Sequence, residues 1–263
     1  MGISKLELIE AIEEIAPVAL AEGWDNCGMQ IDLQPENVEK VMVCLEMSKD
    51  IIDEAVANNV DFIVTHHPLY FRGMKKIDSN DVIGNYTCKL IKEDISVYSS
   101  HTCFDKAQMG NNFYLAELLG LENTKSFEEI VPDMIGVYGE LSKEITLGEL
   151  LEHIAKAADI PKEELRFIGK LDSKLKNVGL CTGAGVEACE AAQKLGCQVF
   201  ITGDVKHHDA VNAMEIGMNV IDAGHYGTEK IFIKNMAQQL REKLGDKVQI
   251  IEAVSNRNPF DFL

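Results

Sequence analysis

The chain has 263 residues, of which 46% are hydrophobic, so it is long enough for two modest domains or one large one. Its formal net charge of −18 argues against a general binder of nucleic acid or of anionic membranes, because both need basic surfaces. No apolar run reaches the roughly 20 residues that cross a bilayer, and the N-terminus lacks the layout of a signal peptide. Seven cysteines without a C-x-x-C pair favour a reducing, cytoplasmic location.

The first half of the chain alternates helices and strands. Ser4 and Glu7 form a capping-box pattern that predicts an amphipathic helix up to Pro17. A turn-rich loop follows at 23–28 and carries the only tryptophan. Apolar patterning then predicts, in chain order, a strand at 38–47, a helix capped by Ser48, a strand at 62–65, a helix at 81–91, a strand at 95–99 and a helix at 112–119.

The middle of the chain, 122–176, carries no cluster of chemically useful residues and is interpreted as a connecting or second-sheet region. Thr146 and Glu149 predict a capped helix there, in which His153 is a surface or packing histidine. The last third predicts strands at 177–181, 198–202, 219–222 and 247–253, helices at 186–195 and 209–216, and a long helix to 244 capped by Thr228. This alternation predicts parallel α/β layers.

An internal repeat relates the two ends of the sequence. Residues 62–67 align with 199–204, and the segment from His101 to Asp105 aligns with that from His225 to Glu229. Each copy places a histidine after a strand and a carboxylate four residues later. The prediction is two pseudo-symmetric α/β halves with a di-metal cleft between them. Their ranges are 1–125 and 126–263, with the last helix and strand packing back on the first half.

Histidines concentrate where predicted strands end. Ligand sites in open α/β sheets lie at such ends. Imidazole and carboxylate without thiolate suit Zn²⁺, Mn²⁺, Fe²⁺ or Co²⁺, and this many candidates exceeds the three ligands of one catalytic ion. Two ions can share and activate a water and polarise a carbonyl or phosphoryl oxygen. The candidates are His66, His67, His101, His207, His208 and His225, with Asp105 and Glu229 in the same segments.

Other chemistries have weaker support. The chain has no phosphate-binding G-x-x-x-x-G-K-[ST] loop and no G-x-S-x-G nucleophile elbow. The Gly183-Ala184-Gly185 segment after a strand lacks the rest of a dinucleotide-binding fingerprint. Cys103 near His101 is a candidate thiol nucleophile, but no electropositive setting that would activate it is evident.

With these residues assembled, the chain resembles the Nif-three-like family, also described as the GTP cyclohydrolase I type 2 or dinuclear metal centre hexameric protein family. The resemblance covers essentially the whole length, with no departure at a motif position. The matching motifs are Trp24-Asp25-Asn26-x-Gly28, Thr65-His66-His67-Pro68-Leu69, Ser100-His101-Thr102-x-x-Asp105, Gly110-Asn111-Asn112, Thr202-Gly203-Asp204, Asp222-x-Gly224-His225-Tyr226-x-Thr228-Glu229 and Asn258-Pro259-Phe260.

The resemblance implies two divalent metal ions held by five ligands, with Glu229 bridging. His101 and His208 match polar positions lining the site, where they would orient ligands or transfer protons. The resemblance adds a toroidal homohexamer with sites facing an internal cavity, and it implies no separate cofactor-binding residues. The five implied ligands are His66, His67, Asp105, His225 and Glu229.

The leading functional hypothesis is a cytoplasmic di-metal hydrolase of the GTP cyclohydrolase type. In it, a metal-activated water would attack a nucleotide or purine ring, and the substrate would be a small molecule. One alternative keeps the metals but makes the protein a phosphoesterase or nucleotide hydrolase. Another, from a different class, is a non-catalytic regulatory or metal-handling protein that binds a partner protein. Phosphate release measured beside formate release distinguishes the first two.

Overall fold

A computed structural model describes residues 2–33 and 37–263. It forms two sheets, with helices packed against them, so the mixed α/β class predicted from the sequence is confirmed. Its main elements are, in chain order, α1 (Lys5–Ile15), β1 (Gly28–Ile31), β2 (Lys40–Cys44), α2 (Lys49–Ala57), β3 (Phe62–Thr65), α3 (Val82–Lys92), β4 (Ser96–Ser99), α4 (Thr102–Lys106), α5 (Asn111–Leu118), β5 (Leu121–Ser126), β6 (Val137–Thr146), α6 (Leu147–Ala157), β7 (Arg166–Ile168), β8 (Lys174–Ala184), α7 (Cys189–Lys194), β9 (Val199–Gly203), α8 (His207–Glu215), β10 (Asn219–Asp222), α9 (His225–Glu229), α10 (Ile231–Leu244) and β11 (Gln249–Glu252).

The chain divides into two compact units. The first comprises Met1–Gly110 and Phe232–Arg257, and the second comprises Asn111–Ile231 and Asn258–Leu263. The boundary predicted at 125/126 between the two α/β halves stays a prediction. None of the helices in the described part of the chain is both long enough and apolar enough to span a bilayer.

The first unit is built on a five-stranded sheet with the order β1-β4-β3-β2-β11. The strands β11, β2, β3 and β4 run parallel, and β1 is an antiparallel edge strand. Every residue of β3 is buried, as its uninterrupted apolar sequence requires of a central parallel strand. The C-terminal strand completes this sheet, because Ile250 of β11 lies in register with Val41 of β2.

The second unit is built on a six-stranded sheet with the order β5-β6-β8-β9-β10-β7. Its centre is the parallel trio β8, β9 and β10, and the remaining neighbours are antiparallel. The middle of the sequence supplies β5, β6 and β7, which agrees with its interpretation as part of a second sheet. Helices α5 and α6 cover this sheet through buried Leu115, Leu150 and Ile154.

The internal repeat corresponds to the same topology within each unit. The trio β2-β3-β4 matches β8-β9-β10, and in each the third strand also pairs with an antiparallel edge strand, β1 or β7. A one-turn helix follows the third strand in both, α4 after β4 and α9 after β10. The His-x-x-x-carboxylate segments of the two repeats therefore occupy equivalent positions in the two topologies.

Three helix starts differ from the sequence-based expectation, among them that of α7, which begins at Cys189 because a 3-10 helix occupies Val186–Ala188. The Oγ of Ser48 accepts from the Ile51 amide, and Thr146 and Glu149 form a complete capping box, as predicted. Thr228, however, does not cap α10. It lies inside α9, where its hydroxyl is 2.9 Å from the Gly224 carbonyl, so that prediction is wrong. Helix α8 begins at His207, two residues before the predicted start.

The cysteines behave as small buried hydrophobes at the two positions where this was predicted. Cys44 and Cys181 are both buried in strands. Burial raises the pKa of the Cys44 thiol to about 12, which keeps it protonated at neutral pH. All seven cysteines are free thiols.

Candidate metal centre

His66 is the most deeply buried of the candidate ligands in the first unit. Its Nδ1 lies 2.9 Å from the Ser100 carbonyl oxygen, which only accepts, so Nδ1 carries the proton. The lone pair therefore sits on Nε2, which is 3.7 Å from Oδ1 of Asp105. The Phe232 ring packs against the imidazole, with the two ring centroids 4.9 Å apart. A buried histidine with this orientation matches the way proteins present Nε2 to a metal ion.

The adjacent histidines avoid opposite faces because the strand ends before them. The amides of His66 and His67 both donate to the Leu45 carbonyl, at 3.1 and 2.9 Å, and the Thr65 hydroxyl donates to the same oxygen. This turn places the ring centroids of the two imidazoles 5.1 Å apart. With His101 they form a cluster in which one ring nitrogen from each lies within 4.8 Å of the others.

Asp105 adds a carboxylate to this cluster from helix α4. Its side chain is buried, with 7% of the residue exposed, one turn after His101. Burying a carboxylate is costly unless a positive charge or strong donors accompany it. Three imidazoles and one buried carboxylate are a donor set suited to a divalent transition metal.

His101 is held by a carboxylate that the sequence interpretation missed. Its Nδ1 lies 3.0 Å from Oδ1 of Asp25, and Oδ2 of Asp25 accepts from the Thr102 amide at 3.1 Å and from its hydroxyl at 2.5 Å. Burial opposes ionisation of Asp25, but its hydrogen bonds to His101, Thr102 and Cys27 outweigh it and keep its pKa below the usual range. Two signals in the sequence pointed to Asp25: its place beside the single tryptophan in a turn-rich loop, and its place in the family motif Trp24-Asp25-Asn26-x-Gly28.

The second unit has its own pair of ligands on helix α9. Nε2 of His225 is 2.9 Å from Oε2 of Glu229, whose residue is 3% exposed. Nδ1 of His225 is 2.8 Å from Oδ2 of Asp204. Asp204 was also missed as a site residue, although the repeat alignment placed it at the position of His67. The equivalent histidines His101 and His225 thus each have a carboxylate at Nδ1.

Two glycines make room for this pair. A Cβ added at Gly183, whose φ is +66°, would meet Oε1 of Glu229 at 2.1 Å. A Cβ at Gly203 would meet the His225 amide nitrogen at 2.5 Å. Gly183, compared above with part of an incomplete dinucleotide fingerprint, therefore has a local explanation. Gly183 lets the Glu229 carboxylate approach the backbone.

The remaining candidates lie outside these clusters in what the structure shows of each unit. His207 and His208 are exposed in the first turn of α8, with ring centroids 5.3 Å apart, and the proton-transfer role of His208 stays a prediction. His153 is half-buried, in keeping with the predicted surface or packing role, and its Nε2 lies 3.0 Å from the Leu119 carbonyl oxygen. A hydrogen bond from Cys27 lowers the pKa of the Cys103 thiol, but Cys103 is fully buried, which disfavours it as a nucleophile.

The chain is similar to several known proteins over its full length. Residues 4–259 match the sequence family Duf34/NIF3 (NGG1p interacting factor 3). A Clostridium perfringens protein named GTP cyclohydrolase 1 type 2 homolog is 33% identical, covering 98% of each chain. A Clostridium acetobutylicum protein of the same name is 32% identical over both full lengths. The crystal structure of a Bacillus cereus protein related to NIF3 matches with a TM-score of 0.92 and 26% identity, covering 100% of this chain and 99% of that one.

Proposed function

Because the chain belongs to the Duf34/NIF3 family, we propose that it is a di-metal-dependent hydrolase that opens the ring of a purine nucleotide. The observation that carries the proposal is the shared state of three histidines. His66, His101 and His225 each have Nδ1 beside a carbonyl or carboxylate oxygen, and Nε2 of His66 and of His225 faces a second, buried carboxylate, Asp105 or Glu229, with which it could hold a divalent ion. The name of the two clostridial relatives, GTP cyclohydrolase 1 type 2 homolog, supports GTP as the nucleotide.

The residues fit divalent transition metals by their donor chemistry. His66 and His67 would each supply one imidazole to a different ion, and Asp105, His225 and Glu229 would complete the ligand set. The assignment to one shared centre rests on the family resemblance. Zn²⁺, Mn²⁺, Fe²⁺ and Co²⁺ all accept imidazole and carboxylate ligands. When bound, two such ions lower the pKa of a water and polarise an oxygen of the substrate.

The protein's own groups supply proton transfer and orientation. His101 takes up or gives a proton at Nε2, because Asp25 holds its Nδ1. Asp25 itself stays ionised, because its pKa is held below the usual range. It acts as a positioning residue through its contact with Nδ1 of His101. His208 is assigned a second proton-transfer role, carried over from the family motif.

A product assay tests the enzymatic assignment. The full-length protein, loaded with Mn²⁺ or Zn²⁺, is incubated with GTP, and formate and phosphate are measured together. Formate release that is lost in Asp105→Ala supports ring opening. Phosphate release without formate would support the phosphoesterase alternative. A protein that binds its metals and leaves GTP unchanged contradicts both assignments.

A regulatory role is the second candidate, because the family description itself names an interacting factor. Genetic complementation separates this role from catalysis. An Asp105→Ala/Glu229→Ala double variant that restores a deletion strain would favour protein interaction over hydrolysis. Failure of a stably folded double variant, with rescue by the wild type, favours the metal-dependent function.

We further propose that the protein acts in the cytoplasm as a homohexamer. Seven free thiols suit a reducing compartment, and the hexamer is carried over from the family resemblance. Light scattering tests the assembly. The expected mass is six times the 29.2 kDa of the chain, and a monomeric mass at micromolar concentration would contradict it.

A further inference from the structure

Two large aromatic side chains are exposed beside the histidine cluster of the first unit. Trp24 is 62% exposed and Phe71 is 58% exposed. Their ring centroids are 6.1 Å apart, and the His101 ring lies 6.2 Å from Trp24 and 6.0 Å from Phe71. The three rings therefore form a triangle with sides of nearly equal length. Adjacent exposed aromatic rings next to a buried polar cluster are a feature of ligand-binding surfaces.

Hydrogen bonds join the two loops that carry these rings. The side-chain amide of Asn26 donates to the Tyr70 carbonyl at 2.8 Å and to Oε1 of Gln30 at 3.2 Å. The same Gln30 oxygen accepts from the Tyr70 amide at 3.2 Å. Asn26 directly follows the residue that holds His101, and Tyr70 directly precedes Phe71. The backbone positions of Trp24 and Phe71 are thus fixed relative to each other and to the histidines.

Basic residues come directly after Phe71 in the sequence of an otherwise acidic protein. Arg72, Lys75 and Lys76 are all exposed, whereas the chain as a whole has a formal net charge of −18. Lys76 pairs with Asp78 at 2.8 Å. Within 2–33 and 37–263, no carboxylate lies at ion-pair distance from Arg72 or Lys75. These two cations are placed to attract an anionic group next to the aromatic rings.

We infer that Trp24 and Phe71 form a stacking surface for the base of a nucleotide, whose phosphate is attracted by Arg72 and Lys75. Every nucleobase offers a planar π-face, and stacking on exposed protein aromatics tolerates different bases. The base would lie next to His101, the group assigned to proton transfer. The inference deepens the proposed function and rests on it for the reaction, but ring binding can be measured without turnover.

The fluorescence of Trp24 tests the inference directly, because it is the only tryptophan of the chain. GMP, guanosine and ribose 5-phosphate are titrated into the full-length protein, both Zn²⁺-loaded and chelator-treated. We expect saturable quenching by GMP, weaker binding of guanosine and no quenching by ribose 5-phosphate. Absence of quenching by both GMP and guanosine overturns the inference, and so does equal quenching by ribose 5-phosphate.

Substitutions separate the contribution of the Phe71 ring to GMP binding from the contribution of the two cations. Phe71→Ala should raise the Kd for GMP at least about fivefold, and Phe71→Tyr should keep it within about twofold. Phe167→Ala, at an aromatic residue 44% exposed in the second unit, is the matched control and should change nothing. An Arg72→Ala/Lys75→Ala double substitution should weaken the binding of GMP more than the binding of guanosine. It should also reduce the salt dependence of GMP binding. An unchanged Kd in Phe71→Ala overturns the stacking surface.

The failure of this inference is distinguishable from failure of the proposed function. If Phe71→Ala weakens GMP binding but the wild-type protein releases no formate from GTP, the proposed reaction is contradicted and the stacking surface is supported. Formate release with the same KM in Phe71→Ala as in wild type contradicts the subsite and supports the reaction.

Discussion

At the scale of single residues, the acceptors behind the histidines define the candidate site as much as the histidines themselves. Ser100, Asp25 and Asp204 each place an oxygen near Nδ1 of a different imidazole. Motif spacing could identify the imidazoles and carboxylates, because they recur in the two repeats. It could not identify Asp25, because that residue lies 76 positions from His101 and has no counterpart at the same place in the second repeat.

Replacing Asp25 by Asn tests its role as a positioning residue. The substitution keeps the size of the side chain and removes the charge that favours Nδ1 protonation of His101. We expect kcat for formate release to fall about 10–100-fold. Metal content should stay at the wild-type level, and the pH–rate profile should change shape because the ionised carboxylate of Asp25 is gone. Asp32→Asn, at an exposed carboxylate, is the control. Wild-type kcat and profile in Asp25→Asn would contradict this role.

Gly183→Ala tests whether the approach of Glu229 to the backbone matters for metal binding. Gly120→Ala is a matched control, because Gly120 has the same φ of +66° and nothing within 4 Å of an added Cβ. Both substitutions should lower the free energy of unfolding by about 1–2 kcal/mol, because alanine disfavours the left-handed region. Only Gly183→Ala should also weaken metal binding, which calorimetry measures. Equal metal affinity in the two variants would count against this account of Glu229.

At the scale of elements, the one-turn helices α4 and α9 set the position of the buried carboxylates, and they also explain where sequence patterning failed. A five-residue helix is too short to show the 3.6-residue period, so the sequence pattern predicts one helix where the structure has α9 and α10, with Thr228 as its cap. The longer helices were predicted well because their apolar periodicity and their capping residues indicate the same helix boundaries. The α6 capping box is the clearest case, with both reciprocal hydrogen bonds present.

The α6 capping box gives a prediction for stability and its pH dependence. Thr146→Ala should lower the free energy of unfolding by about 1 kcal/mol at pH 7. The hydrogen bond from the Thr146 backbone lowers the pKa of Glu149 from its ordinary 4.5. The stabilisation from Glu149 is therefore present above pH 4.5 and is lost as the pH falls through the lowered native value. Urea unfolding of Glu149→Gln should differ from wild type at neutral pH and converge with it in acid.

Glu144→Gln, at an exposed glutamate before the helix, is the control for that series. Its free energy of unfolding should equal that of wild type both at neutral pH and in acid. A Glu149→Gln difference that is constant down to pH 2 would show that the carboxylate charge contributes nothing to the cap.

At the scale of the whole molecule, a repeated topology explains why much of the fold could be predicted. The two parallel trios each end in a His-x-x-x-carboxylate segment, and the repeat was visible in the sequence alone. The order of the outer strands was not, because strand pairing over long separations depends on packing that generic apolar patterns do not encode. The pairing of β11 with β2 is the main example. Through it, residues near the C-terminus support the sheet that carries His66.

The central claim is that the two histidine and carboxylate sets serve metal ions. Elemental analysis of the purified full-length protein, after reconstitution and removal of excess metal, tests it most directly. The account predicts about two divalent transition-metal ions per chain. It predicts about one or fewer in Glu229→Ala, and no change in His153→Ala, whose imidazole packs against a backbone carbonyl. Less than one ion per wild-type chain, or an unchanged content in Glu229→Ala, would contradict it.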